Sequence, residues 1–438
     1  MFLLLHIFFS KAVKADGLAL IRDAEIEDFL FDITKPLVKA ADLNPDDIKI
    51  YIVNDSALNA FVSGGQNIFI HTGLITKYKT PDVLIGVIAH ETGHIAAGHL
   101  ARSTEDMQKA DNTRLLSYVL GLATAAIAGP DAGMALIMGG SQVAERTALK
   151  FNRTQEEVAD SLALKYLDKT NNSTNGLLKL LEFFDREEGG RKTKIDEYAL
   201  THPVSKKRIN FIRSNSVGLK RNIDPILQQR LSRIIVKLEA FLNDADQTLK
   251  TYNKNDLNSQ YARSIAYYKK GKITQSLKIV DDLIKNYPTD NYLYDFKGQI
   301  LFESGKLKES IIAYNQALKL NNNNGLARIA LATAIINIDS KDKSLTDLAI
   351  WHLLTALEKE KNDISIYKQL SIAYNQNGDL GKSYLSLAEL NLLQEDTKNI
   401  KKYVKLAKDN LDKNDKISLL RISDIEEFAK KIKDEKQK

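Results

Sequence analysis

The sequence predicts a mostly α-helical chain: an α+β domain with a small sheet, followed by an α-helical repeat solenoid. Three observations carry this. Apolar residues recur at helical spacing along most of the chain, while strand-like alternation is confined to short segments near 48–53 and 61–70. Gly271 and Gly305 lie one 34-residue period apart. Between these regions, His90-Glu91-Thr92-Gly93-His94 places two imidazoles four residues apart, on one face of a helix where both can reach one metal ion.

The first residues read as an export signal. The apolar run 2–9 is followed by small residues that put Val13 and Ala15 at the −3 and −1 positions of a cleavage site, with the mature segment starting at Asp16. No basic residues precede the run, so the alternatives are a start further upstream or a buried N-terminal element. Residues 18–42 predict an amphipathic helix broken near Pro36. Residues 48–53 predict a strand, and 61–70 a second extended segment leading toward the metal helix. The strand at 67–71 is expected either to offer an open edge to a peptide or to lie in the sheet interior. His71 is read as a polar strand residue.

The metal helix has a plausible start at Thr80-Pro81-Asp82: a capping residue, a proline where its missing N–H costs nothing, and an acid that complements the helix dipole. Val83, Leu84, Val87 and Ile88 supply its apolar face. Glu91 is placed to take a proton from a metal-bound water. Catalytic zinc needs a third protein ligand. His99 fails the extended metzincin pattern, because Ala97 and Leu100 stand where glycine and histidine are required. Glu156 is the better candidate, with Asp160 one turn later able to accept the second N–H of a ligating histidine. Alone that acidic string is a weak signal; paired with the upstream motif it completes the site.

The strings NAFVSGGQNIFIHTGL, HETGHIAAGHLAR, EEVAD and THPVSKKRI, in this order, resemble the gluzincin family of HtpX, Oma1 and the CAAX prenyl proteases, in particular its soluble, repeat-bearing BepA-like branch. The resemblance covers residues 16–215 and implies a zinc metallopeptidase domain. It implies one Zn2+ per chain on His90, His94 and Glu156, Glu91 as general base and Asp160 as supporting acid. His202 is then an inhibitory fourth ligand that blocks the open position. Alternatively, His202 or Arg208 donates to the oxyanion of the tetrahedral intermediate, or His202 merely caps a helix begun by Pro203. Within the stretch 114–140 neither apolar run, 115–128 or 132–138, reaches the roughly 20 residues of a membrane span, and the stretch is read as a lid, with a membrane-contacting hairpin as the rival.

Residues 216–255 predict a helical linker, 256–395 a repeat domain, and 396–438 a helical cap with a basic tail. In tetratricopeptide register, Tyr294, Gly298, Leu301, Gly305, Tyr314 and Ala317 fill the small and large core positions of one unit. Trp351 is expected in the repeat core.

The 62 basic residues stand against 56 acidic ones and are dispersed, so the net charge of +6 marks a solvated surface and no nucleic-acid partner. The absence of cysteine excludes disulfides, thiolate ligands and cysteine nucleophiles. The expected protein is an exported, periplasmic zinc metalloendopeptidase of a Gram-negative bacterium, with repeats that recruit protein substrates or a partner. The resemblance points to misassembled outer-membrane proteins at the barrel-assembly machinery, with peripheral membrane contact. The rival is a chaperone or assembly factor whose proteolysis is latent.

Overall fold

The computed structural model describes residues 19–63, 66–99, 153–189, 202–216, 223–338 and 342–435. The signal-like residues 1–15 and the apolar stretch 114–140 lie outside them. The chain divides after Tyr252 into two compact units.

The first unit builds a four-stranded sheet in the order β1-β2-β4-β3 from β1 (Leu20–Ile21), β2 (Lys49–Val53), β3 (Ala60–Ser63) and β4 (Asn67–His71). Strand β4 runs parallel to β2 and antiparallel to β3. It is an interior strand, which settles the alternatives at 67–71: the edge of this sheet on the β4 side is β3.

Helix α1 (Ala24–Ala40) is capped by Asp23, which accepts the Ile26 N–H at 3.1 Å. The expected break at Pro36 does not occur; the helix runs through it. Burial of Phe29, Leu30, Ile33, Leu37 and Val38 on the core holds the helix despite the one backbone donor that proline lacks.

The short α2 (Thr72–Lys77) leads into α3 (Pro81–Ala96), which carries the histidine motif. Thr80 sits at the N-cap position, but its side chain makes no cap bond. Helix α3 is buried along nearly its whole length. It packs on α4 (Arg153–Lys169) and α5 (Asn175–Gly189). The approach to α4 is close because Gly93 has no side chain: a Cβ there would stand 2.8 Å from the Ala159 carbonyl oxygen. The glycine inside the motif is therefore what lets the acidic helix reach the histidines.

Helix α6 (Lys206–Ser214) starts at Ser205, whose hydroxyl accepts the Arg208 N–H at 3.3 Å. Helices α7 (Pro225–Leu242) and α8 (Ala245–Thr251) follow. The segment read as a linker thus contains α7, which inserts Leu231, Ile234, Ile235 and Leu238 into the core of this unit. Its Arg233 pairs with buried Glu25, and Lys237 lies 3.2 Å from Glu25 and 2.6 Å from Asp23. Burial alone would raise the Glu25 pKa, but the charges of Lys237 and Arg233 bring it below the ordinary carboxylate range.

The second unit is a run of antiparallel helix pairs of the tetratricopeptide type. They are α9 (Leu257–Lys269) with α10 (Ile273–Asn286), α11 (Asn291–Glu303) with α12 (Leu307–Leu320), α13 (Gly325–Ile336) with α14 (Lys343–Leu357) and α15 (Ile364–Asn377) with α16 (Leu380–Leu393). A further pair, α17 (Thr397–Asn410) and α18 (Lys416–Glu435), continues the array. Gly271, Gly305 and Gly378 make turns within pairs at φ of 69°, 78° and 85°, where a side chain would be strained. Gly298 faces the Tyr314 ring, 2.6 Å from where a Cβ would stand. The expectation for Trp351 is overturned: its side chain is 53% exposed under the Arg328 guanidinium, while neighbouring His352 takes the buried position.

Candidate metal centre

Two helices that each repeat a functional residue at i and i+4 face one another. From α3, His90 and His94 bring their Nε2 atoms to 3.1 Å. From α4, Glu156 places Oε1 3.3 Å from His94 Nε2 and Oε2 3.4 Å from His90 Nε2. His202, at the approach to α6, completes the group with Nδ1 3.2 Å from Glu156 Oε1 and 3.4 Å from His90 Nε2. All four residues are fully buried, and their ligand atoms lie within 4.8 Å of one another.

The donor set fits a tetrahedral cation. Nitrogen and oxygen ligands about 2.0–2.1 Å from a tetrahedral ion stand about 3.3–3.4 Å apart, which is the spacing seen here. Three imidazoles and a carboxylate converging in a fully buried interior favour a cation bound among them. Nitrogen and oxygen donors in this geometry match the preferences of a zinc-like ion.

The ligands are held from behind. His90 turns its Nδ1 to Asp160 Oδ1 at 3.0 Å. Arg208 donates from Nε and Nη2 to Asp160 Oδ2 and Oδ1 at 2.7 and 2.9 Å, a two-point pairing, while Nη1 lies 2.6 Å from Glu156 Oε2 and donates to the Pro203 carbonyl at 3.0 Å. One buried guanidinium thus ties α4 to the segment that presents His202. Arg208 directs its N–H groups at these carboxylates, whereas the sequence left open a role toward an oxyanion.

Charge balance follows from this packing. Burial opposes ionisation of Glu156, but the charges of His202 and Arg208 hold its pKa well below the usual carboxylate range. Burial raises and Arg208 lowers the Asp160 pKa, and the lowering wins. Burial pushes the His90 imidazole down, yet its contacts with Asp160 and Glu156 raise it to about 9. Burial takes His94 down to about 3: its contact with Glu156 opposes the fall, but burial together with the charges of His90 and His202 outweighs it. Glu91 is fully buried, with no hydrogen bond to either carboxylate oxygen among the described residues, and burial raises its pKa. The Nε2 of His202 is 3.4 Å from Glu91 Oε1.

His99, set aside at the sequence level, is brought to the centre. After α3 ends, Gly98 adopts φ of 65° and turns the chain so that His99 is buried with its Nδ1 2.9 Å from His94 Nδ1. The signal for it was the glycine, which marks a helix C-terminus whose next residue folds back. His71 is not in the metal-ligand group; it packs edge-on against Phe61, with Asp55 4.0 Å away.

Residues 26–216 match the family model "Peptidase family M48". Over 337 residues, the chain is 23% identical to the beta-barrel assembly-enhancing protease of Yersinia pestis, a match covering 75% of this chain and 69% of that protein. It is 30% identical over 182 residues to the mitochondrial metalloendopeptidase OMA1 of Schizosaccharomyces pombe, covering 41% of this chain and 50% of that one. Among solved structures, MamA from Desulfovibrio magneticus RS-1 covers 42% of this chain and 96% of its own length at 18% identity, with a TM-score of 0.30. Residues 26–216 therefore form an M48 metalloendopeptidase domain, and the buried His-His-Glu-His group is its metal-binding centre.

Proposed function

We propose that this chain is a zinc metalloendopeptidase that cleaves misfolded or misassembled proteins of the bacterial envelope. The observation that carries the reading is the buried donor group of His90, His94, Glu156 and His202 with the unbonded Glu91 carboxylate beside it. His90, His94 and Glu156 would hold the zinc, which when bound would supply Lewis-acid chemistry, lowering the pKa of water toward about 7 and polarising the scissile carbonyl. Glu91, with its raised pKa and no competing hydrogen bond among the described residues, takes the proton of the attacking water and returns it to the leaving amine. Asp160 and Arg208 keep His90 and Glu156 aligned through the reaction. Strand β3, at the edge of the sheet among the described residues, suits an extended peptide that adds a strand beside the metal helix.

His202 acts in this reading as a removable plug. Its Nδ1 stands among the donor atoms and its Nε2 lies 3.4 Å from Glu91 Oε1, so with a metal bound it would occupy a ligand position and mask the base. A plugged resting state also favours the second reading, an assembly factor or chaperone with latent proteolysis. The repeat unit recruits the substrate or a partner such as the outer-membrane barrel-assembly machinery, and the signal-like residues 2–15 direct export to the periplasm. No helix among the described residues is long and apolar enough to cross a membrane.

The test compares wild type, Glu91→Gln and His202→Ala for zinc content and cleavage of an unfolded protein. Retained zinc with lost cleavage in Glu91→Gln, and faster cleavage in His202→Ala, support the enzyme and its plug. Equal cleavage by wild type and Glu91→Gln refutes the mechanism. Rescue of envelope assembly in cells by Glu91→Gln favours the assembly factor.

A further inference from the structure

The two histidines of the metal helix are supported differently. His90 has a carboxylate behind it, Asp160 at 3.0 Å from Nδ1. His94 has an imidazole: His99 Nδ1 lies 2.9 Å from His94 Nδ1, the rings 5.0 Å apart between centroids and inclined at 69°. His99 is itself 2% exposed. Nothing in a metal site read from its ligands alone requires a buried histidine here.

We infer that His99 is a positioning residue for the metal centre, fixing the tautomer and ring orientation of His94. The inference rests on the metallopeptidase reading and extends it. His94 directs Nε2 into the ligand group, 3.1 Å from His90 Nε2 and 3.3 Å from Glu156 Oε1. A neutral imidazole that offers its Nε2 lone pair to a metal must carry its proton on Nδ1. That N–H faces His99 Nδ1, so His99 must accept there and carry its own proton on Nε2. Two nitrogens at 2.9 Å admit one proton between them, and this arrangement is the one that leaves His94 able to ligate. The left-handed Gly98 is what aims His99 at this position, since a helix continuing past Ala97 would carry residue 99 to another face.

Two substitutions separate positioning from packing. Asparagine at 99 retains an acceptor near the position of the imidazole Nδ1; leucine fills similar volume without one and leaves the His94 N–H facing an apolar group. The full-length proteins are compared for zinc affinity by chelator competition and for thermal midpoint in the metal-free state. Loss of an outer partner of a ligating histidine lowers metal affinity about 10- to 100-fold, so His99→Leu is expected to lose that much. His99→Asn is expected to recover most of it, with the two metal-free midpoints alike. Equal zinc affinity in the two variants, with wild type binding zinc tightly, overturns the inference and leaves the metallopeptidase reading standing. A wild-type chain that binds no zinc overturns both.

Discussion

In the peptidase unit, His90, Glu91, His94, Glu156, Asp160, His202 and Arg208 are packed together with no more than 2% of any of them exposed. The repeat unit fills its interior with residues such as Ala330, Leu331, Ile335, Leu353 and Tyr314, and buried Ser383 closes a hydrogen bond to the Ser371 carbonyl of the neighbouring helix at 2.8 Å. The metal centre is held by matching charges, the repeat interior by matching volumes. Unpairing a buried charge is costly because the partner left behind stays desolvated, whereas a packing error costs according to the space available. The two units should therefore fail to different substitutions.

The largest effect tests chemistry alone. Glu91→Gln is expected to lower kcat by about 10²–10⁴-fold, the usual contribution of a general base, with metal content unchanged by atomic spectroscopy.

Next comes the guanidinium. Arg208→Met leaves Asp160 and Glu156 without their cation and is expected to destabilise the peptidase unit by about 3–5 kcal/mol. The chain's single tryptophan, Trp351, lies in the repeat unit. Denaturation followed by its fluorescence should then stay at the wild-type midpoint while the midpoint for loss of the peptidase fold shifts. Parallel shifts would break the comparison.

In the opposite direction, Gly298→Ala drives a Cβ against Tyr314 and is expected to cost about 1–3 kcal/mol, seen in the Trp351 transition, with cleavage of a short peptide unaffected.

The mildest test uses acid. Burial, aided by the Arg328 charge, takes His352 down to about 4. The folded repeat thus favours the neutral ring, and the unfolded chain binds the proton first. This contribution is complete above about pH 6.5, the ordinary histidine value, and is lost as pH falls toward 4. His352→Gln is expected to flatten the Trp351-detected midpoint in that window. Glu25, with its lowered pKa, acts in a different range: its contribution is present above the ordinary carboxylate value and is lost as pH falls through the folded one.

The parts of this molecule legible in the sequence are those written within one element. His90, Glu91 and His94 share a single helix, and three of the helix pairs announce themselves through the turn glycines Gly271, Gly305 and Gly378. Glu156 was legible only in combination, because one acidic string on a helix has many uses. His99 was not, since five residues from His94 is no helical spacing until Gly98 reverses the chain. The interior place of β4 depends on a parallel pairing with β2, a partner that alternation cannot name. At Pro36 local propensity lost to burial, and at Trp351 size was a poor guide to depth, because the position facing the stack belongs to His352.

Helix α7 bears on how this enzyme can be cut into working pieces. The family match ends at residue 216, but the cations for Glu25 and the side chains closing the core come from residues 231–238. An expression fragment stopped at 216 would leave an unpaired buried carboxylate beside an open apolar face, and insolubility of that fragment would say nothing about whether the peptidase depends on its repeats. A fragment ending after Tyr252 keeps the clasp and the whole of the first compact unit, and is the boundary to use for studying the catalytic unit.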